Sequence, residues 1–167
     1  GLLAVRGNHD EHVLRWHQGH ARPGKKLKPE HQLVLDTLTR EDWDYLDSLP
    51  LYLRFPELNA LAVHAGLVPG APLRKQRQEH LLNLRSITED GKPSKRVSGG
   101  APWASLWRGP ELVLFGHDAV RGLQRYPHAY GLDSGCVYGG RLTAYALPEG
   151  RFYSVPARRM YMSMDPP

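Results

Sequence analysis

The chain carries a single cysteine, Cys136, in 167 residues. One cysteine excludes an internal disulfide and suits a reducing compartment, which points to the cytoplasm. No apolar run approaches the ~20 residues that a membrane helix needs. No basic-then-apolar export signal is visible either, so no membrane role is expected. The basic segments are not interleaved with aromatics in the manner of single-strand nucleic-acid binders. No internal repeat and no low-complexity tract is present, which argues against a repeat array or a disordered tail.

What is present fits one globular unit. About two-fifths of the residues (41%) are hydrophobic, enough for one core and one domain over residues 1–167. The net charge of +5 favours polyanionic partners, namely a phosphorylated small molecule or another polyanion, a nucleic-acid end included. The excess is local: Lys25, Lys26 and Lys28; Arg74, Lys75 and Arg77; Lys92, Lys95 and Arg96. The opening Gly1-Leu2-Leu3-Ala4-Val5 reads as a buried strand already in progress. A domain rarely opens on a central strand without neighbours, so the domain is expected to begin upstream of residue 1.

Periodicity and punctuation predict helices near residues 11–17 and 30–37. A third helix is capped by Thr39, with Asp42 three residues on, and runs to about Ser48 before Pro50. Strands are predicted at Leu51–Phe55, Leu58–His64 and Leu112–Phe115, with a helix over 74–84. Residues 88–102 read as a mobile loop. The tail reads as β-structure at Ala129–Leu132, Arg141–Leu147 and Phe152–Val155.

One pattern recurs. An apolar strand ends, a small residue turns, and a metal-capable side chain follows: Asn8-His9-Asp10 after Gly7, His64 before Ala65-Gly66, and His117 after Gly116. Open sheets place ligands at the carboxyl ends of their strands. Imidazole nitrogen and amide oxygen suit a borderline divalent ion. A lone histidine of this kind is usually structural; the ordered trio is specific. His12, His17 and His20 lack a carboxylate or thiolate partner and are weaker candidates. Cys136 reads as packing, and Asp133 as an alternative partner for a metal-binding histidine.

Arg6-Gly7-Asn8-His9-Asp10, Val63-His64-Ala65-Gly66 and Phe115-Gly116-His117-Asp118 resemble the third, fourth and fifth motifs of the calcineurin-like metallophosphoesterases. The stretch Gly131–Ala144 and the Trp103/Trp107 pair are similar to the diadenosine tetraphosphatase-like branch, close to the phosphoprotein phosphatases. The resemblance covers nearly the whole chain. It implies an α/β fold, a β-sandwich flanked by helices in four α-β-β-α layers, of which the carboxy-terminal portion is present and the first strands are missing. It implies two divalent metal ions (Mn, Fe, Zn, Co or Mg), one of them held by Asn8, His64 and His117. His9 would be the general acid, oriented by Asp10, and Arg85 a phosphate-binding arginine.

The family's other motifs, Asp-x-His and Gly-Asp-x-x-Asp-Arg-Gly, are not in this sequence. They would supply the bridging carboxylate and the second ion's ligands. Position 119, often histidine in the wider family, is Ala119, as in the single-histidine branches. Asp118 is read as a cap for a helix over 119–123. The expected activity is metal-dependent hydrolysis of phosphoric esters or anhydrides, of dinucleoside polyphosphates above all. The alternatives are a serine/threonine phosphoprotein phosphatase, or a fragment without activity of its own.

Overall fold

In the computed structural model, residues 2–21, 24 and 26–163 are described. Gly1 and Lys25, which entered the readings above, lie outside them. Three helices come first: α1 (Asn8–His17), α2 (Pro29–Thr37) and α3 (Arg40–Ser48). Val13 and Leu14 of α1 pack on Trp43 of α3, with Val34 and Leu35 of α2 against them. The Thr39 cap forms as expected: its hydroxyl accepts from the Asp42 N–H, and Asp42 accepts from the Thr39 N–H.

The main sheet follows. β1 (Tyr52–Phe55) and β2 (Ala60–Val63) form an antiparallel pair, and β2 runs parallel to β6 (Leu112–Phe115). β6 is parallel to β8 (Ala129–Gly131), which pairs antiparallel with β7 (Gln124–Tyr126). The five strands lie in the order β1-β2-β6-β8-β7. The apolar runs of the central strands β2, β6 and β8 are short and largely buried, as such strands of a mixed sheet require: Leu61, Val63, Val113, Phe115 and Ala129 are all under 5% exposed.

Between β2 and β6 the chain makes α4 (Gln78–Asn83) and α5 (Trp103–Leu106). It also makes a small antiparallel sheet with β3 (Ser86–Ile87) at its centre, flanked by β4 (Pro93–Ser94) and β5 (Ala101–Pro102). The expected mobile loop over 88–102 is therefore pinned by backbone pairing on both sides of β3. The expected helix over 74–84 is split into a 3-10 turn at Leu73–Lys75 and α4. A hairpin of β9 (Arg141–Ala146) and β10 (Arg151–Pro156) closes the chain, joined to the sheet by Tyr130, Tyr145 and Phe152 in edge and tilted contacts.

Two expectations are corrected. Residues 2–5 are not a buried strand: they are unpaired, and Leu2 and Leu3 are 99% and 72% exposed. No described strand lies beside them. Only at Arg6 does the segment dock, its N–H donating to Pro50 O at 2.8 Å. No helix follows Asp118 either; residues 119–121 form a turn. No described helix is long and apolar enough to cross a membrane.

Trp103 sits at the centre of the larger core, 1% exposed and tilted against Phe115 at 4.8 Å. Its indole N–H donates to Ala65 O at 3.1 Å, and Gly66 is bare because a Cβ there would meet the indole at 2.5 Å. Trp103→Phe strands a buried carbonyl and leaves a void. It should lower stability by about 1–3 kcal/mol. The measurement is the urea midpoint, with exposed Leu33→Ala expected within about 0.5 kcal/mol of wild type.

Candidate functional site

The sheet register builds the site. Val63 of β2 pairs with Phe115 of β6, and Phe115 with Gly131 of β8, so the three parallel strands end level. The next residues in β2 and β6, His64 and Gly116-His117, therefore emerge at the same edge. The Gly116 N–H donates to His64 O at 2.9 Å, locking the two strand ends together. β1 is antiparallel to β2, so Pro50, just before β1, also lies at that edge. The Arg6–Pro50 bond then delivers Gly7 and the start of α1 to the same place. Arg6 is held further by Glu11 at 3.1 Å and by the Asp47 carbonyl.

Three of the sequence candidates meet there. His64 Nε2 lies 2.8 Å from Asn8 Oδ1. The His64 and His117 rings stand edge to face with centroids 5.1 Å apart. Gly7 admits the closeness: a Cβ there would be 3.1 Å from both the His64 ring and Asp10 Oδ2. His117 has φ of 67°, a left-handed conformation that non-glycine residues seldom take.

Burial sets the charge of both histidines. Desolvation pushes His64 down to about 4; His9 and Arg85 add to the effect and Asp10 opposes it. Burial likewise pushes His117 down to about 3, helped by Arg85 and His64. Both rings are thus neutral at physiological pH, the state in which imidazole binds a metal. His117 Nε2 is buried without a hydrogen-bond partner. An orphaned ring nitrogen beside an amide oxygen and a second neutral imidazole is a donor set that fits a divalent cation. The residues therefore fit the implied group at one position. Among the described residues, no group of three or more His, Cys, Asp or Glu that could hold a metal ion occurs, and the set here has two histidines and an asparagine.

The remaining candidates are placed differently from expectation. Asp10 Oδ2 accepts from the Gly7 N–H at 2.8 Å, and His9 Nδ1 contacts His31 Nε2 at 3.0 Å rather than Asp10. Arg85 reaches the site, but its guanidinium donates to Lys95 O at 3.1 Å and His117 O at 3.2 Å. Asp118, read as a helix cap, is 4% exposed and accepts instead from Arg121 and Gln124, facing Arg85 Nε at 3.6 Å. Arg121 continues to Ser86 Oγ and Val97 O. This network pins the turn carrying His117 to the small sheet.

The His12 ring is tilted against His31 and His17 lies flat on Trp43, so they do not converge with His20. Asp133 closes a local turn on the Gly135 N–H, next to half-buried Cys136. The sequence reading missed His31 and Arg121, because nothing local marks either; only the packing of α1 on α2, and of 118–121 on β3, reveals them.

The two neutral histidines predict a pH effect on stability. Above about pH 6.5 neither folded nor unfolded rings hold the extra proton. Below it the unfolded chain takes up protons that the folded rings refuse down to about 4 and about 3. The folded state should therefore lose on the order of a few kcal/mol per ring as pH falls through that window. Urea midpoints of wild type and a His64→Asn/His117→Asn variant, compared from pH 8 to pH 4, test this. The wild-type midpoint should fall more steeply; parallel curves would contradict it.

No family model matches the chain. It is 28% identical, over 95% of its length and 67% of the relative's, to the bis(5'-nucleosyl)-tetraphosphatase PrpE [asymmetrical] of Oceanobacillus iheyensis. The protein of that name from Halalkalibacterium halodurans is 29% identical over 95% of this chain and 68% of its own length. A crystal structure described as that of a candidate diadenosine tetraphosphatase superposes with a TM-score of 0.83 at 39% identity, over 94% of this chain and 69% of that one. On that likeness in sequence and fold together, the chain belongs to the diadenosine tetraphosphatase family of hydrolases.

Proposed function

We propose that this chain contributes a cation site and a proton donor to the hydrolysis of dinucleoside polyphosphates. The observation that carries the reading is the meeting of Asn8 Oδ1, His64 Nε2 and the orphaned, buried His117 Nε2 at the ends of β2 and β6. The two relatives named above, both bis(5'-nucleosyl)-tetraphosphatases by name, support the substrate class. In the four-layer arrangement, the five-stranded sheet would be one inner layer and the β9–β10 hairpin part of the other. Residues 1–167 would belong to one domain.

Asn8, His64 and His117 would hold one divalent ion. Divalent ions in such a centre draw charge off the phosphoryl oxygens and make water a nucleophile near neutral pH. The chain's own part is to hold the two imidazoles neutral by burial and to fix Asn8 on them. His9, solvent-exposed at the first turn of α1, would hand a proton to the departing oxygen. Asp10 fixes the start of α1 through Gly7. Arg85 contributes its positive charge near the phosphates, its fork being occupied by backbone carbonyls.

Binding of Mn to wild type should weaken about tenfold or more in His117→Ala and in Asn8→Ala, read by calorimetry. Near neutral pH these rings should release no net proton on binding, since both are already neutral and the His64 proton can move to Nδ1; release should appear only as pH falls toward their values of about 4 and about 3. Unchanged affinity in both variants would sink the cation site. With Mn present, nucleotide release from diadenosine tetraphosphate should exceed phosphate release from a phosphoserine peptide. The reverse preference would favour a protein phosphatase.

A further inference from the structure

Of the basic clusters in the sequence, the one over residues 92–96 is built into a cavity. Lys92 is taken by Asp90, at 2.7 Å. Lys95 and Arg96 have no side-chain hydrogen bond or ion pair among the described residues. Both line a cavity of about 270 Å³ between α4 and the bend that follows β4. Across it, Asn83 is four residues from Glu79 and three from His80, so one face of α4 supplies all three. Leu84, 2% exposed, adds an apolar patch to the lining.

The backbone of the basic wall is held while its charges are not. Lys95 O accepts from Arg85 at 3.1 Å, Arg96 O from Ser86 Oγ at 2.8 Å, and Val97 O from Arg121. Two cations are thus positioned without being neutralised. Glu79 is the carboxylate on the lining. Burial lowers the proton affinity of His80, so that ring adds no charge at neutral pH. Two cations against one carboxylate leave the cavity positive.

The cavity adjoins the candidate cation site. The guanidinium that donates to Lys95 O also donates to His117 O, and the backbone of Asn83 lies against the His117 ring. A chain of phosphates whose reacting member lies at His64 and His117 therefore has a positive cavity beside it. The volume is below the ~300–1,000 Å³ that enclose a drug-sized ligand whole. No Phe, Tyr or Trp lines it to stack a base. Its chemistry suits phosphate groups rather than a nucleoside.

We infer that this cavity binds the phosphates of the substrate beyond the one that reacts, with Lys95 and Arg96 as their cations. Chain length is read there: a tetraphosphate reaches the cavity and a monophosphate ester does not. The inference rests on the proposed function for its substrate; the anion site rests on the cavity itself.

The first test is calorimetric titration of the full chain with inorganic tripolyphosphate, without metal. Wild type should bind it, and Lys95→Gln/Arg96→Gln should bind about tenfold more weakly, having lost its charge-assisted bonds to phosphate. Arg74→Gln/Lys75→Gln removes the same charge from the turn before α4, outside the lining, and should stay within about twofold of wild type. Equal losses in the two variants overturn the inference, as does a wild type that does not bind. Glutamine leaves the held carbonyls in place. If the groove variant still fails to fold, the amide NMR shifts of wild type on titration decide. They should centre on residues 83–85 and 94–97; shifts spread over every basic segment overturn the inference.

The second test separates the substrate from free polyphosphate. With Mn present, Lys95→Gln/Arg96→Gln should lose about tenfold more kcat/KM on diadenosine tetraphosphate than on p-nitrophenyl phosphate, through a raised KM. Equal losses on both would assign the cavity to free polyphosphate and overturn the link to the substrate. If wild type hydrolyses neither compound, the proposed function fails, and the tripolyphosphate titration still decides the anion site.

Discussion

The register of β2 against β6 is the constraint on which the rest depends. Side chains alternate along a strand, so a slip of one residue would carry His64 away from His117 and turn Leu61 and Val63 out of the core. The apolar sides of both strands, Leu61 and Val63 on one and Val113 and Phe115 on the other, forbid that slip. Core packing and the placement of the two histidines are therefore one specification. The antiparallel β1 extends it, because its pairing with β2 puts Pro50, and through it Arg6 and α1, at the same edge.

From that edge the electrostatics follow. The histidines emerge just beyond a dry core, and desolvation outweighs the nearby Asp10 in setting His64. Arg85 adds positive charge, while Asp118, almost fully buried, holds Arg85 and Arg121 together behind the turn. A buried carboxylate between two arginines is stable only when its partners stay in place. This ties the left-handed turn at His117 to the small sheet around β3. Sequence distance hides the link, since Ser86 and Arg121 are 35 residues apart.

Much of this was legible in the chain. The strand-end histidines, the Thr39 cap and the three later apolar strands follow from local chemistry, and the structure places them within a residue or two. The parts that were not legible depend on contacts between distant segments. β7, Gln124–Tyr126, has only three residues and a charged centre, too little for a periodic signal. The small sheet around β3 is made of two-residue strands rich in Ser and Pro, which locally read as loop. Leu2–Val5 shows the opposite error: an apolar run suggests burial, but a strand forms only where a neighbour offers its hydrogen bonds. The Asp118 reading failed similarly, because an aspartate before a turn has the composition of a cap, and only the approach of Arg85 and Arg121 shows its partners.

The unsatisfied atoms point the same way as the geometry. Among the described residues, five buried side-chain polar atoms lack a hydrogen-bond partner: Arg6 Nε, His31 Nδ1, Arg85 Nε, His117 Nε2 and Asp118 Oδ1. Folded proteins leave few such atoms, since each costs about 1–3 kcal/mol. Here none is scattered through the larger core. Arg6 anchors the start of α1, His31 touches His9, His117 faces His64, and Arg85 and Asp118 look at each other across 3.6 Å, too far to bond. A sequence whose caps, turns and apolar faces are otherwise consistent has gathered its unmet polar groups around one edge of one sheet. That concentration coincides with the edge at which the proposed site lies, and it is an observation independent of any motif.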